Sequence, residues 1–119
     1  FTRFHRQLAV KNIIMDAYLK YVDTNRKSLR AKYKAFDAFV KSYEVPENLI
    51  QNIVAEGKKQ KIEPTDDAER ERTIAYIKLQ IKSLVARDIW NMNEYFRIWN
   101  EESDIVKKAL EVVGKPLPN

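Results

Sequence analysis

Apolar side chains recur along this chain at three- and four-residue intervals, the spacing that lines one face of an α-helix. The pattern is clearest over Ile74, Ile77, Ile81, Leu84 and Val85, with Lys78, Lys82 and Arg87 mostly around the other side, and it predicts a long amphipathic helix. Thr65 or Asp66 caps that helix; Asp66 and Glu69 have capping-box spacing, and Asp67 and Glu71 favour the positive end of its dipole. Upstream, Val10, Ile13, Ile14, Ala17, Tyr18 and Tyr21 predict a first helix over Leu8 to Val22. It ends near Asp23 to Asn25 or runs on through Lys27 to Ala31, because Asp and Asn lower helix preference without forbidding it. Tyr33, Phe36, Phe39, Val40 and Tyr43 make a short aromatic helix, and Pro46 suits the first turn of the next, which carries Leu49, Ile50, Ile53 and Val54 as far as Gly57. The stretch from Gly57 to Pro64 reads as a basic loop.

Past Asp88, Ile89 and Trp90 the pattern turns a corner. Asn91 and Glu94 again have capping-box spacing and predict a new helix with an aromatic face of Tyr95, Phe96, Ile98 and Trp99. Ser103 then caps a last helix with Ile105, Val106, Leu110 and Val113, stopped by Gly114 and Pro116. These elements predict an all-α fold, a compact bundle of about five or six helices, in one domain over residues 1–113 with a C-terminal tail at 114–119.

Composition agrees with that reading. The 119 residues are 45% hydrophobic, enough for one modest core, while two glycines and four prolines leave little punctuation for a many-stranded sheet. The absence of cysteine removes disulfides, thiol catalysis and thiolate metal sites. No apolar run is long enough to span a membrane. The chain begins at Phe1 rather than Met, with helical pattern close behind, and so reads as a fragment or processed product.

Charge adds a second theme. The net charge is +5, but residues 1–36 hold nine Lys or Arg against only Asp16 and Asp23. The densest part, Arg26, Lys27, Arg30, Lys32 and Lys34, is a candidate anion-binding cluster; its plainer reading is a solvated surface around a helix end. Tyr33 and Phe36 interleave with it as stacking residues would, yet their spacing fits a core face as well. His5 has no second histidine or cysteine to share a metal with and is expected at the surface. Asp66, Asp67, Glu69 and Glu71 are explained by capping, and Arg87 is expected to bridge the elbow through Asp88, Glu94 or Glu101. Trp90, Tyr95 and Trp99 are core aromatics, or a partner-docking surface if a tryptophan stands exposed. No residue pattern calls for a cofactor or metal.

The order of an apolar helix, ARD, Ile-Trp, NMNEYFRI and NEESDIVKKALEVV resembles the C-terminal region of Bacteroidetes-type tail-specific, or C-terminal processing, serine peptidases. YVDTNRKSL at 21–29, the FDAF segment and the VPENLI helix start fit the same region. Such peptidases carry a serine nucleophile and a lysine base on a protease domain preceded by a PDZ domain. Nothing catalytic carries over, because Ser28, Ser42, Ser83 and Ser103 all lack the glycine-rich turn that a strained nucleophile and an oxyanion hole require. The resemblance therefore implies an accessory segment of a parent peptidase, in the periplasm or cell envelope, that packs on the protease body or self-associates. The other reading is a free-standing helical module that binds nucleic acid or another anionic partner through the basic N-terminal third.

Overall fold

A computed structural model describes residues 1–113, and every regular element in it is helical: α1 (Arg3–Val10), α2 (Ile13–Lys32), α3 (Phe36–Ser42), α4 (Glu47–Lys59), α5 (Asp67–Ile89) and α6 (Met92–Val113). The expected all-α bundle thus has six helices. Gly114, Pro116 and the tail at 114–119 lie outside the described residues.

The first helix divides in two. A single helix over Leu8 to Val22 was expected, but the chain breaks at Lys11 and Asn12, where Asn12 takes the left-handed conformation at φ 59°. Asparagine enters that region more readily than most residues. The Asn12 amide closes α1 on the Ala9 carbonyl at 3.0 Å, and its own carbonyl starts α2 by accepting from Asp16 at 2.9 Å. Two separate axes then bury Phe4 and Leu8 as well as Ile13 and Ile14, at the cost of leaving Val10, expected on the core face, 78% exposed. The next boundary resolves the other way, because α2 runs unbroken through Asp23 to Lys32. There Thr24 donates to the Lys20 carbonyl, Asn25 to Tyr21 and Ser28 to Asn25, so the polar side chains bond to the preceding turn instead of competing with the helix.

Gly57, expected to end a helix, sits buried inside α4. A Cβ there would lie 2.8 Å from Leu8 Cδ2 and 3.1 Å from the Ile62 carbonyl oxygen, so glycine permits α1 to close on α4. The helix ends two residues later in a Schellman motif: the Ile62 amide donates to the Gly57 carbonyl at 2.7 Å and Lys61 to Lys58 at 3.0 Å.

Asp66, not Thr65, caps α5 by accepting from the Glu69 amide at 2.8 Å. Ser103, expected to cap a separate last helix, lies inside a continuous α6. Nothing between Asn100 and Asp104 breaks a helix, and Tyr95, Trp99, Glu102 and Val106 continue one stripe against α5 at helical spacing. One core joins residues from Phe4 to Ile98, centred on Tyr18, Phe39, Ile77 and Ile81. The shortest dimension is 20 Å, two helix diameters, and α6 finds its backbone neighbours almost wholly in α5.

Candidate functional site

The elbow between α5 and α6 is built by its aromatics. Trp90 leaves helical geometry, and its ring meets Phe36 and Phe39 edge-on at 5.4 and 5.5 Å. Asn91 then caps α6, its side-chain oxygen accepting from the Asn93 amide at 2.8 Å. Glu94, expected to complete that box, makes no such bond, and its Oε1 is buried without a hydrogen-bond partner. Trp99 lies edge-on to Phe1 at 6.0 Å, and Tyr95 edge-on to Phe96 at 5.2 Å. Trp90, Tyr95 and Trp99 are therefore half-buried against the core. Among the described side chains, the large apolar ones that α6 presents to solvent are instead Met92, Phe96 and Ile105, 44%, 51% and 66% exposed. Periodicity placed Phe96 on the core face, and only the position of α5 shows that it points past that face.

The basic cluster at 26–34 is drawn into a structural network. Arg26 pairs with Asp23 at 3.2 Å and with Asp88 at 3.8 Å, and Arg30 donates to the Asp88 backbone carbonyl at 2.8 Å. Tyr18, fully buried, donates its hydroxyl to the Asp88 carboxylate and sits 2.9 Å from the Leu84 carbonyl oxygen. Burial, reinforced by the hydrogen bond to Asp88, holds the Tyr18 phenol well above its ordinary pKa. Asp88 is thus the bridge between α2 and the end of α5. Arg87, expected in that role, makes no side-chain hydrogen bond or ion pair among the described residues, because its neighbour in the helix faces α2 in its place. Lys32 covers the Tyr33 ring at 5.4 Å, and Lys27 and Lys34 are exposed. Of the five candidate anion-binding residues, the fold commits both arginines to holding α5.

A different set of cations is brought together by α1. Arg3, Arg6 and Lys11 line a groove of about 470 Å³ with Gln7, Val10, Lys61 and Ile62. Arg3 is tied down, donating to the Glu63 carbonyl at 3.2 Å and pairing with Glu69 at 3.4 Å. Arg6 donates to the Phe1 carbonyl, while Arg6, Lys11 and Lys61 have no carboxylate partner among the described residues. Glu69 holds the base of α1, accepting from the Thr65 amide at 2.7 Å and the Phe4 amide at 3.0 Å. Those bonds, the Thr65 amide first, keep its carboxyl below the usual range.

His5, expected at the surface, is buried at 3% exposure. Phe4, His5 and Leu8 form the inner face of α1; Nε2 of His5 meets Gln80 Oε1 at 3.1 Å, and Nδ1 has no partner. Burial lowers its pKa and favours the neutral ring. Among the described residues no group of three or more His, Cys, Asp or Glu side chains is placed to hold a metal ion. Ser28 and Ser83 spend their hydroxyls on backbone carbonyls of their own helices. Among the described residues no helix is long and apolar enough to cross a membrane.

No curated protein and no solved structure matches the chain. A family does, over residues 4–91, a span that runs from the first turn of α1 through α5 and ends on Asn91, the cap of α6. Since that match covers well over half of the 119 residues, the chain belongs to the family described as "family of unknown function (DUF8443)".

Proposed function

We propose that this chain is a non-catalytic helical accessory domain that docks through the outer edge of α6 onto the body of a tail-specific serine peptidase, in a periplasmic or cell-envelope setting. The observation that carries the docking surface is the exposure of Met92 and Phe96 one turn apart at the start of α6, a helix whose backbone neighbours are almost all in α5. Tyr95 braces Phe96 edge-on, and Trp90 anchors the elbow beneath, so the surface is held rigidly on packed aromatics. The choice of partner rests on the sequence resemblance in the last third of the chain and at Tyr21 to Leu29; the family match carries no activity.

The test is binding between this chain and a separately expressed tail-specific protease body from the same organism. Met92→Ser with Phe96→Asp is expected to weaken it about ten-fold, the scale of an exposed aromatic anchor, while leaving the circular dichroism melt unchanged. Unaltered binding counts against the surface, and no binding by either form counts against the partner. Self-association abolished by the same substitutions would replace the protease body with a second copy of the chain.

A further inference from the structure

We propose that the groove between α1 and the α4–α5 connection is a docking site for an acidic peptide segment of a partner protein, with carboxylates flanking one aliphatic side chain. The site is independent of the α6 surface. Its lining, Arg3, Arg6, Gln7, Val10, Lys11, Lys61 and Ile62, holds four cations, one amide, two aliphatic side chains and no carboxylate. Two segments some fifty residues apart supply it, and only tertiary packing brings them together.

Helix-dipole complementarity accounts for part of this charge, since Lys11 and Lys58 to Lys61 lie at the C-terminal ends of α1 and α4. It accounts for neither Arg3 nor Arg6, which sit in the first half of α1 where the dipole disfavours cations. Nor does it account for the backbone at Lys61. That residue occupies the left-handed position of the Schellman motif at φ 63°, where glycine is the favoured residue. A long cationic side chain stands at a strained backbone position beside a groove whose lining includes no carboxylate, Arg3 alone being paired, with Glu69 behind it. Strain kept in this way is characteristic of ligand clamps.

The lining also selects among anions. Nucleic acid would call for aromatic stacking platforms, and no aromatic lines the groove. A lipid surface would call for a broad apolar face, whereas Ile62 is buried and Val10 alone is strongly exposed. Val10 and Ile62, set among Arg6, Lys11 and Lys61 in one lining, match an aliphatic residue flanked by Asp or Glu.

Fluorescence anisotropy with the full chain and a fluorescein-labelled Glu-Glu-Leu-Glu-Glu peptide tests the proposal. Binding should weaken as salt rises. It should fall about ten-fold in Lys11→Glu with Lys61→Glu, and should change less than about two-fold in Lys27→Glu with Lys34→Glu, which reverses the same number of charges elsewhere. Lys61→Gly separates binding from folding: it should raise Tm by relieving the left-handed lysine while still weakening the peptide several-fold. Equal losses in the two double variants, or undiminished binding in Lys11→Glu with Lys61→Glu, would overturn the site. So would phosphatidylserine vesicles that bind through Lys11 and Lys61 when the peptide does not.

Discussion

The two basic regions of this protein invert what their sequences advertise. Residues 26–34 form a dense run of cations on consecutive turns of α2, yet its arginines are absorbed by Asp88 and the end of α5. Arg6, Lys11 and Lys61 are scattered, and they converge on one groove with Val10 and Ile62 and without a carboxylate partner among the described residues. The difference lies in what packs opposite. Helix α2 meets the carbonyl end of α5, where cations and a buried phenol hold the chain; α1 meets the lysine-bearing end of α4 at Gly57, where like charges accumulate and, among the described residues, only Arg3 is paired with a carboxylate. Density in sequence is therefore a poor guide to available charge: of that run both arginines are held at Asp88 and only the lysines are left over, whereas Arg6, Lys11 and Lys61 share one groove.

Removing the hub of the first region should have the largest effect. Asp88→Ala leaves the Tyr18 hydroxyl without its carboxylate and frees Arg26, and should cost about 2 kcal/mol in urea unfolding, the scale of a charge-assisted hydrogen bond at a buried group. A loss below about 0.5 kcal/mol would show that the network is surface decoration.

Acidification probes the α1 side. His5 has its pKa lowered by burial, so below about pH 6.5 the unfolded chain binds a proton that the folded chain refuses, and stability falls as pH falls. Glu69, also lowered, adds the same sign only below about pH 4.5, as the native carboxylate is forced to protonate. Tm should thus decline between pH 7 and pH 5 in the native sequence and stay flatter in His5→Gln; parallel curves would refute the burial of His5 as the cause.

Smaller changes sharpen the contrast. Lys61→Gly should stabilise by about 0.5–1 kcal/mol, since glycine alone enters the left-handed region without steric penalty. Lys27→Glu with Lys34→Glu should shift stability by less than about 0.5 kcal/mol, as both side chains are exposed and outside the Asp88 network. A larger loss there would mean that the first cluster has structural members beyond its arginines.

Helical spacing was enough to determine the fold class, the elbow at Trp90 and Asn91 and the cap at Asn91, and to narrow the α5 cap to Thr65 or Asp66, because period 3.6 and capping chemistry are local properties of the chain. It was not enough for the break at Asn12, where a helix of good apolar period divides so that Phe4, Leu8 and Ile14 all reach one core. Nor did it reveal that Ser103 lies mid-helix, that His5 is buried, or that Asp88 rather than Arg87 bridges the elbow. Those outcomes depend on which side of a helix faces another. The same holds for the candidate sites: Phe96 and Val10 look like core residues by spacing, and Lys61 like one lysine in a basic loop. The amino-acid sequence by itself determined that the chain folds as helices and which stretches carry their apolar faces, but not every point at which a helix stops. Which charges are neutralised and which apolar side chains are left in water was decided only by tertiary packing, because a partner from another helix cannot be read from the spacing of one.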